Sequence, residues 1–126
     1  MNNGGRLLVF KKENGKKELV HSFDLRMGVN TIGRPSKEKP ADIEISGDEY
    51  MSRQHFNIEV YSDSRYNWLC YSLSDNHSRN GTFFLCEDSR NQTKLRNGDA
   101  ITITKGDEIR AGKTYFQIEP IGELSV

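Results

Sequence analysis

Long apolar runs are missing from this chain. No stretch approaches the roughly 20 residues that a membrane-spanning helix requires, so membrane insertion is not expected. The opening Met1-Asn2-Asn3-Gly4-Gly5 lacks the apolar segment of a secretory signal. Cysteine is almost absent: Cys70 and Cys86 are too few for a disulfide scaffold, and without a signal segment they are expected to be reduced thiols in a cytoplasmic protein. Net charge of either sign is missing as well, because 18 basic and 18 acidic residues cancel. Proteins that grip nucleic acid through its phosphates are ordinarily basic, so direct nucleic-acid binding is not expected and any anion site has to be a local cluster. Three histidines and two cysteines at scattered positions show no zinc-ligand spacing, and no cofactor or metal is expected. Apolar residues make up only 34% of 126 residues, which predicts one domain with a lean core. Six Phe, five Tyr and one Trp still supply enough buried area to argue against disorder.

What the chain does contain is a series of short strands. Arg6–Lys12 and Glu18–Leu25 flank Asn14-Gly15, a pair that accepts positive φ and marks a hairpin. In the second run Leu19, His21, Phe23 and Leu25 share one face at period two, while Val20 spoils the alternation. Val29–Gly33 is a third strand. Arg34–Ala41 holds Pro35 and Pro40, which break helix and central strand alike, so it is a loop. Asp42–Ile45 is a short strand, and a loop runs from Gly47-Asp48 to Arg53. Gln54–Tyr61 alternates with Phe56, Ile58 and Val60 on one face, and Ser62-Asp63-Ser64 is a turn. Tyr66–Leu73 follows, with Trp68 and Cys70 expected to be buried. After the polar loop Ser74–Asn80 come a strand at Thr82–Cys86 and a polar excursion at Glu87–Thr93. Ala100–Thr104 is the next strand, and Glu108–Ala111 and Thr114–Glu119 form a last hairpin about Gly112-Lys113. No amphipathic helix and no internal repeat are evident. About ten short strands with turn signals every ~8–12 residues indicate a β-sandwich or barrel. In such folds ligands meet the loops at one end of the sheets.

Three separated loops hold unusual polar groups. At Gly33-Arg34 a glycine allows a tight exit from a strand and the guanidinium offers a planar fork of donors. At Ser52-Arg53-Gln54-His55 a hydroxyl stands beside a cation just before a strand. At Ser78-Arg79-Asn80-Gly81-Thr82 the asparagine has both a donor and an acceptor and can pair with peptide backbone. If these loops converge, they surround one anion with Arg34, Ser52, Arg53 and Arg79. A phosphate, with about −1.5 to −2 charges and three acceptor oxygens, suits two guanidinium forks and a hydroxyl.

These segments, followed by Leu95-Arg96-Asn97-Gly98-Asp99, resemble the pattern G-R, S-x-x-H, S-x-N-G-T and L-x-x-G-D of the forkhead-associated (FHA) domain, in that order and at similar spacings. Four such matches on an all-β background are specific where one would mean little. The resemblance spans Arg6 to Pro120 and implies a domain at 6–120, between a flexible N-terminal segment (1–5) and a tail (121–126). It also implies an eleven-stranded β-sandwich whose loops at one end bind phosphothreonine peptides. By position it assigns phosphate contacts to Arg34, Ser52 and Arg53, pocket lining to Arg79, and a peptide-backbone contact to Asn80. Gly33, His55, Gly81 and Thr82 then shape the loops. The implied partner is a phosphothreonine-containing protein, such as a serine/threonine kinase or its substrate, and the implied role is that of a signalling adaptor without catalytic activity. The family often continues N-G-T-x-x-N-G; here no second Asn-Gly follows Thr82, so a longer or irregular hairpin is expected.

Two other classes compete with that reading. A small hydrolase using Ser52 and His55 needs an orienting carboxylate and an oxyanion hole, neither evident, and positions three apart on an extended segment face opposite sides. A scaffold β-domain with no phosphate dependence would keep the fold alone, since fold does not fix function. Taken singly, Arg34 reads as a surface ion pair to Asp42 or Glu44.

Overall fold

The computed structural model describes residues 4–65, 68–89 and 91–120 of the chain. Its strands are β1 (Arg6–Glu13), β2 (Lys16–Asp24), β3 (Gly28–Gly33), β4 (Ile43–Glu44), β5 (Phe56–Ser62), β6 (Leu69–Asp75), β7 (Thr82–Leu85), β8 (Thr93–Lys94), β9 (Ala100–Ile103), β10 (Glu108–Ala111) and β11 (Thr114–Glu119). They form a six-stranded sheet in the order β2-β1-β11-β10-β7-β8 and a five-stranded sheet in the order β4-β3-β5-β6-β9. No helix occurs among the described residues. This is the eleven-stranded sandwich that the resemblance implied.

Local chemistry explains the turns. Asn14 and Gly15 both take positive φ, 51° and 76°, as a two-residue turn between right-twisted strands demands. The imperfect alternation of β2 has a physical cause. Val9 pairs with His21 and Phe10 with Leu19, so Val20 is the extra residue of a bulge.

The core lies between the sheets. Phe56, Ile58 and Val60 are buried, as their period-two spacing predicts, against Leu7, Val9, Ile109, Phe116 and Ile118 of the facing sheet. Phe56 meets Phe116 edge-on at 5.1 Å between ring centroids, which ties one sheet to the other. Tyr71 and Leu73 also face inward. The Tyr71 hydroxyl donates to the Gly4 carbonyl at 2.7 Å, so Gly4 and Gly5, read from sequence as part of a flexible segment, are buried and bonded into the fold.

Some expectations need correction. Trp68 is 45% exposed and Cys70 is half-buried, because the core takes the opposite parity of this segment, Leu69, Tyr71 and Leu73. Tyr66 and the tail 121–126 lie outside the described residues. The polar excursion after Thr82 ends in β8, which pairs Phe83 with Lys94 and Phe84 with Thr93. The connection that precedes it is long, as the missing second Asn-Gly suggested.

Register decides where the loops go. Ile32, next to the end of β3, pairs with Phe56 at the start of β5, and Phe56 pairs with Asp75 at the end of β6. In the other sheet Ala111 pairs with both Thr82, at the start of β7, and Thr114, at the start of β11. The β3–β4, β4–β5, β6–β7 and β10–β11 connections therefore emerge at the same end.

Candidate functional site

The exit of β3 is the first fixed point. A Cβ on Gly33 would fall on the Arg53 backbone, with the Arg53 carbonyl carbon at 2.5 Å and the Ser52 oxygen at 2.8 Å, so only glycine lets the two loops approach this closely. Directly after it the Arg34 N–H donates to the Ser52 carbonyl at 2.9 Å. The Arg34 Nε donates to the Met51 carbonyl at 3.1 Å, which anchors the exposed guanidinium by its inner nitrogen. The terminal nitrogens make no ion pair among the described residues. Of the two partners expected for a merely structural Arg34, Asp42 pairs with Arg26 at 2.8 Å and accepts the Thr31 N–H, and Glu44 makes no ion pair among the described residues.

Ser52 and His55 stitch the next two loops together. The Ser52 hydroxyl oxygen accepts the Arg79 N–H at 2.9 Å, which leaves its own proton for a ligand. The Ser52 N–H donates to His55 Nδ1 at 2.9 Å, and His55 Nε2 lies 2.8 Å from the Gly81 carbonyl. Since Nδ1 accepts, Nε2 carries the proton, and the ring is neutral. Burial, the largest influence, pushes the His55 pKa below its ordinary value; the Gly81 carbonyl and the negative charges of Asp75 and Asp48 act the other way. With both ring nitrogens on main-chain groups and the Ser52 hydroxyl on Arg79, the serine–histidine pair of a hydrolase is not made.

The β6–β7 loop is held by Asp75. Its carboxylate accepts the Ser78 hydroxyl at 2.5 Å and the buried Thr82 hydroxyl at 2.7 Å, and the Ser78 oxygen in turn accepts the Gly81 N–H. Burial pushes the Asp75 pKa up, but these hydroxyls and the Ser78 N–H outweigh it, and the carboxyl ends below its ordinary value. Gly81 takes φ 88°. The Asn80 amide nitrogen donates to the Tyr50 carbonyl at 2.9 Å, which leaves its oxygen to accept an incoming N–H.

The structure therefore places the contact residues expected from sequence on adjoining loops. Arg34, Ser52, Arg53, Arg79 and Asn80 lie on three loops joined by direct hydrogen bonds, with Gly33, His55, Gly81 and Thr82 as their supports. Arg53 is half-buried and Arg79 exposed, and neither makes an ion pair among the described residues.

Two residues escaped the sequence reading. Asp48, buried in the β4–β5 loop, accepts the Tyr50 N–H at 3.0 Å, the Lys113 N–H at 2.7 Å and the Thr114 hydroxyl at 2.6 Å. It thereby fixes Lys113, on the β10–β11 turn, at the edge of the site. Arg34 and Lys113 line one cleft of about 370 Å³ together with Tyr50, whose ring lies 4.7 Å from the Lys113 ammonium. Nothing local in the sequence links Asp48 to positions 65 and 66 residues later.

Comparison with known proteins agrees with the fold. The family model described as the FHA domain matches residues 30–112. The protein FraH of Nostoc sp. (strain PCC 7120 / SAG 25.82 / UTEX 2576) is 35% identical over 86 residues; the match covers 64% of this chain and only 28% of FraH. Full-length yeast Pml1p superposes with a TM-score of 0.71 at 20% identity, over 92% of this chain and 81% of that one. The FHA domain of human APLF, solved in complex with an XRCC1 bisphospho peptide, gives 0.64 at 21% identity, over 94% and 100%. The family match runs from the buried Asn30 of β3 to Gly112 in the β10–β11 turn, through all three loops of the crevice, and the chain belongs to the FHA domain family.

Proposed function

We propose that this domain is a non-catalytic module that binds phosphothreonine peptides in the crevice between its β3–β4, β4–β5 and β6–β7 loops. The observation that supports this reading is the set of hydrogen bonds from the Arg34 and Arg79 main-chain N–H groups to Ser52 and from Asn80 to Tyr50, which joins the three loops that carry Arg34, Ser52, Arg53, Arg79 and Asn80. The terminal nitrogens of Arg34 take two phosphate oxygens as a fork, the Ser52 hydroxyl donates to a third, and Arg53 and Arg79 add charge. The Asn80 oxygen accepts a main-chain N–H of the peptide. The bisphospho peptide on the FHA domain of APLF supports the ligand class. The partner is then a phosphorylated protein, and a kinase or its substrate fits that description.

The test is calorimetric titration with a matched set of threonine, phosphoserine and phosphothreonine peptides. Charge-assisted hydrogen bonds contribute ~1.5–3 kcal/mol each, and 1.4 kcal/mol is tenfold, so Arg34→Ala weakens phosphothreonine binding by more than about tenfold. Equal affinity of wild type and variant, or of phosphorylated and bare peptides, refutes the assignment.

A further inference from the structure

The six-stranded sheet is wider than the sheet it faces, and β4, at the edge of the narrower one, is only two residues long. The inner face of β1 and β2 therefore runs out beyond its cover. Leu7 and Val9 are closed over, but their neighbours across the register, Phe23 and His21, are half-buried and exposed. Between this overhang and the β4–β5 loop lies a cleft of about 510 Å³. Val9, Val20, Phe23 and Ile45 give it an apolar lining, and the bulge at Val20 adds to it a side chain that a regular strand would have turned away. At its far end stand Gly47, Asp48 and Lys113, the same residues that line the cleft of Arg34. The two clefts share these three wall residues and adjoin there as a trough.

We propose that this trough is a second subsite, which takes an apolar side chain carried on the same peptide as the phosphothreonine. The inference rests on the phosphopeptide reading above. A chain whose phosphate sits at Arg34 has a continuous path past Lys113 onto Val20 and Phe23. Of the charged residues that line the trough, Lys11, Glu13 and Glu44 make no ion pair among the described residues, and two others are engaged. Lys12 pairs with Glu108 at 2.7 Å, and Asp48 is held by Lys113 and Thr114. Val9, Val20, Phe23 and Ile45 are the part of this lining that an apolar side chain can cover.

An oriented library of phosphothreonine peptides, extended on both sides of the phosphorylated residue, tests this. Selected peptides are expected to carry Leu, Ile, Val or Phe at one fixed distance from the phosphothreonine. They are expected to bind about tenfold more tightly than truncations that keep only the adjacent residues, the effect of burying one such side chain. Val20→Glu and the exposed-site variant Ser46→Glu should abolish that gain and leave the truncated peptide's affinity unchanged. Amide resonances of Val20, Phe23 and Ser46 should move with the long peptide and not with the short one. Three results overturn the proposal: no apolar preference at any distance, equal weakening of long and short peptides by both variants, or groove amides that shift with protein concentration alone, which gives the trough to a second copy. Each of these leaves the phosphate dependence of the short peptide intact. Loss of that dependence would instead bring down the phosphopeptide reading, and this inference with it.

Discussion

His55 is a titratable ring at the point where protonation would cut the loop scaffold. Its Nδ1 accepts the Ser52 N–H and its Nε2 donates to the Gly81 carbonyl, so a second proton would set two donors against each other at 2.9 Å. The folded domain resists that proton, chiefly through burial, and the His55 pKa lies below its ordinary value of 6.5. The sign follows by linkage. Between the lowered folded value and 6.5 the unfolded chain binds more protons, so the stabilising contribution is complete above pH 6.5 and is lost as pH falls below it. One proton gives a slope of at most about 1.4 kcal/mol per pH unit, hence a loss of up to about 1.4 kcal/mol by pH 5.5. Asp75 and Asp63 do not blur this window. Their pKa values are lowered from 3.8, so the stability they carry is lost only at more acid pH. Urea unfolding of wild type and His55→Gln from pH 7.5 to 5.5 reads the effect, and because the variant keeps His21 and His77 the difference isolates His55. The variant leaves the Ser52 N–H and the Gly81 carbonyl without their partner, about 1–3 kcal/mol each. Should it fail to fold, following the His55 ring by NMR in wild type reads the same titration. A wild-type stability that is flat across this range, or a slope retained in His55→Gln, would refute the reasoning.

Other perturbations act on the same scaffold. Gly33→Ala forces the β3 exit away from the Arg53 backbone and is expected to cost about 1–3 kcal/mol; an unchanged urea midpoint contradicts the close approach. Asp48→Ala strips the acceptor from Tyr50, Lys113 and Thr114 at once and should cost at least about 2 kcal/mol, read as a drop in Tm, with Asp48→Asn milder. Phosphopeptide affinity should fall with added salt and as pH drops through the phosphate's second pKa near 6, so a calorimetric profile flat from pH 8 to 5 counts against a dianionic ligand.

The parts of the molecule legible in the sequence are those set by local rules. Asn14-Gly15 announces its turn through backbone freedom, and Phe56, Ile58 and Val60 announce a buried face through period two. The ordered motifs Gly33-Arg34, Ser52–His55 and Ser78–Thr82 marked the loops that meet. What stayed hidden depends on pairings distant in the chain. Asp48 reads as an ordinary loop carboxylate until β10 and β11 bring Lys113 and Thr114 to it. The two-residue strand β8 carries too few side chains for a periodic signal, and it is a strand only because β7 supplies the ladder. Trp68 misled because size argues for burial, whereas the parity of Leu69, Tyr71 and Leu73 decides the inward face. The Ser52 hydroxyl and the Asn80 amide were expected to face the ligand; each spends one hydrogen-bonding group on a neighbouring loop, which sets its orientation in advance.

The central claim is that groups from three loops form one phosphate-binding crevice, and amide NMR during titration with a phosphothreonine peptide reads it most directly. The N–H signals of Arg34, Ser52, Arg53, Arg79 and Asn80 should move together with a single Kd, and stay still with the unphosphorylated peptide. Movement confined to Gly28 and to the Asp63–Arg65 turn, at the opposite ends of β3 and β5, would contradict it.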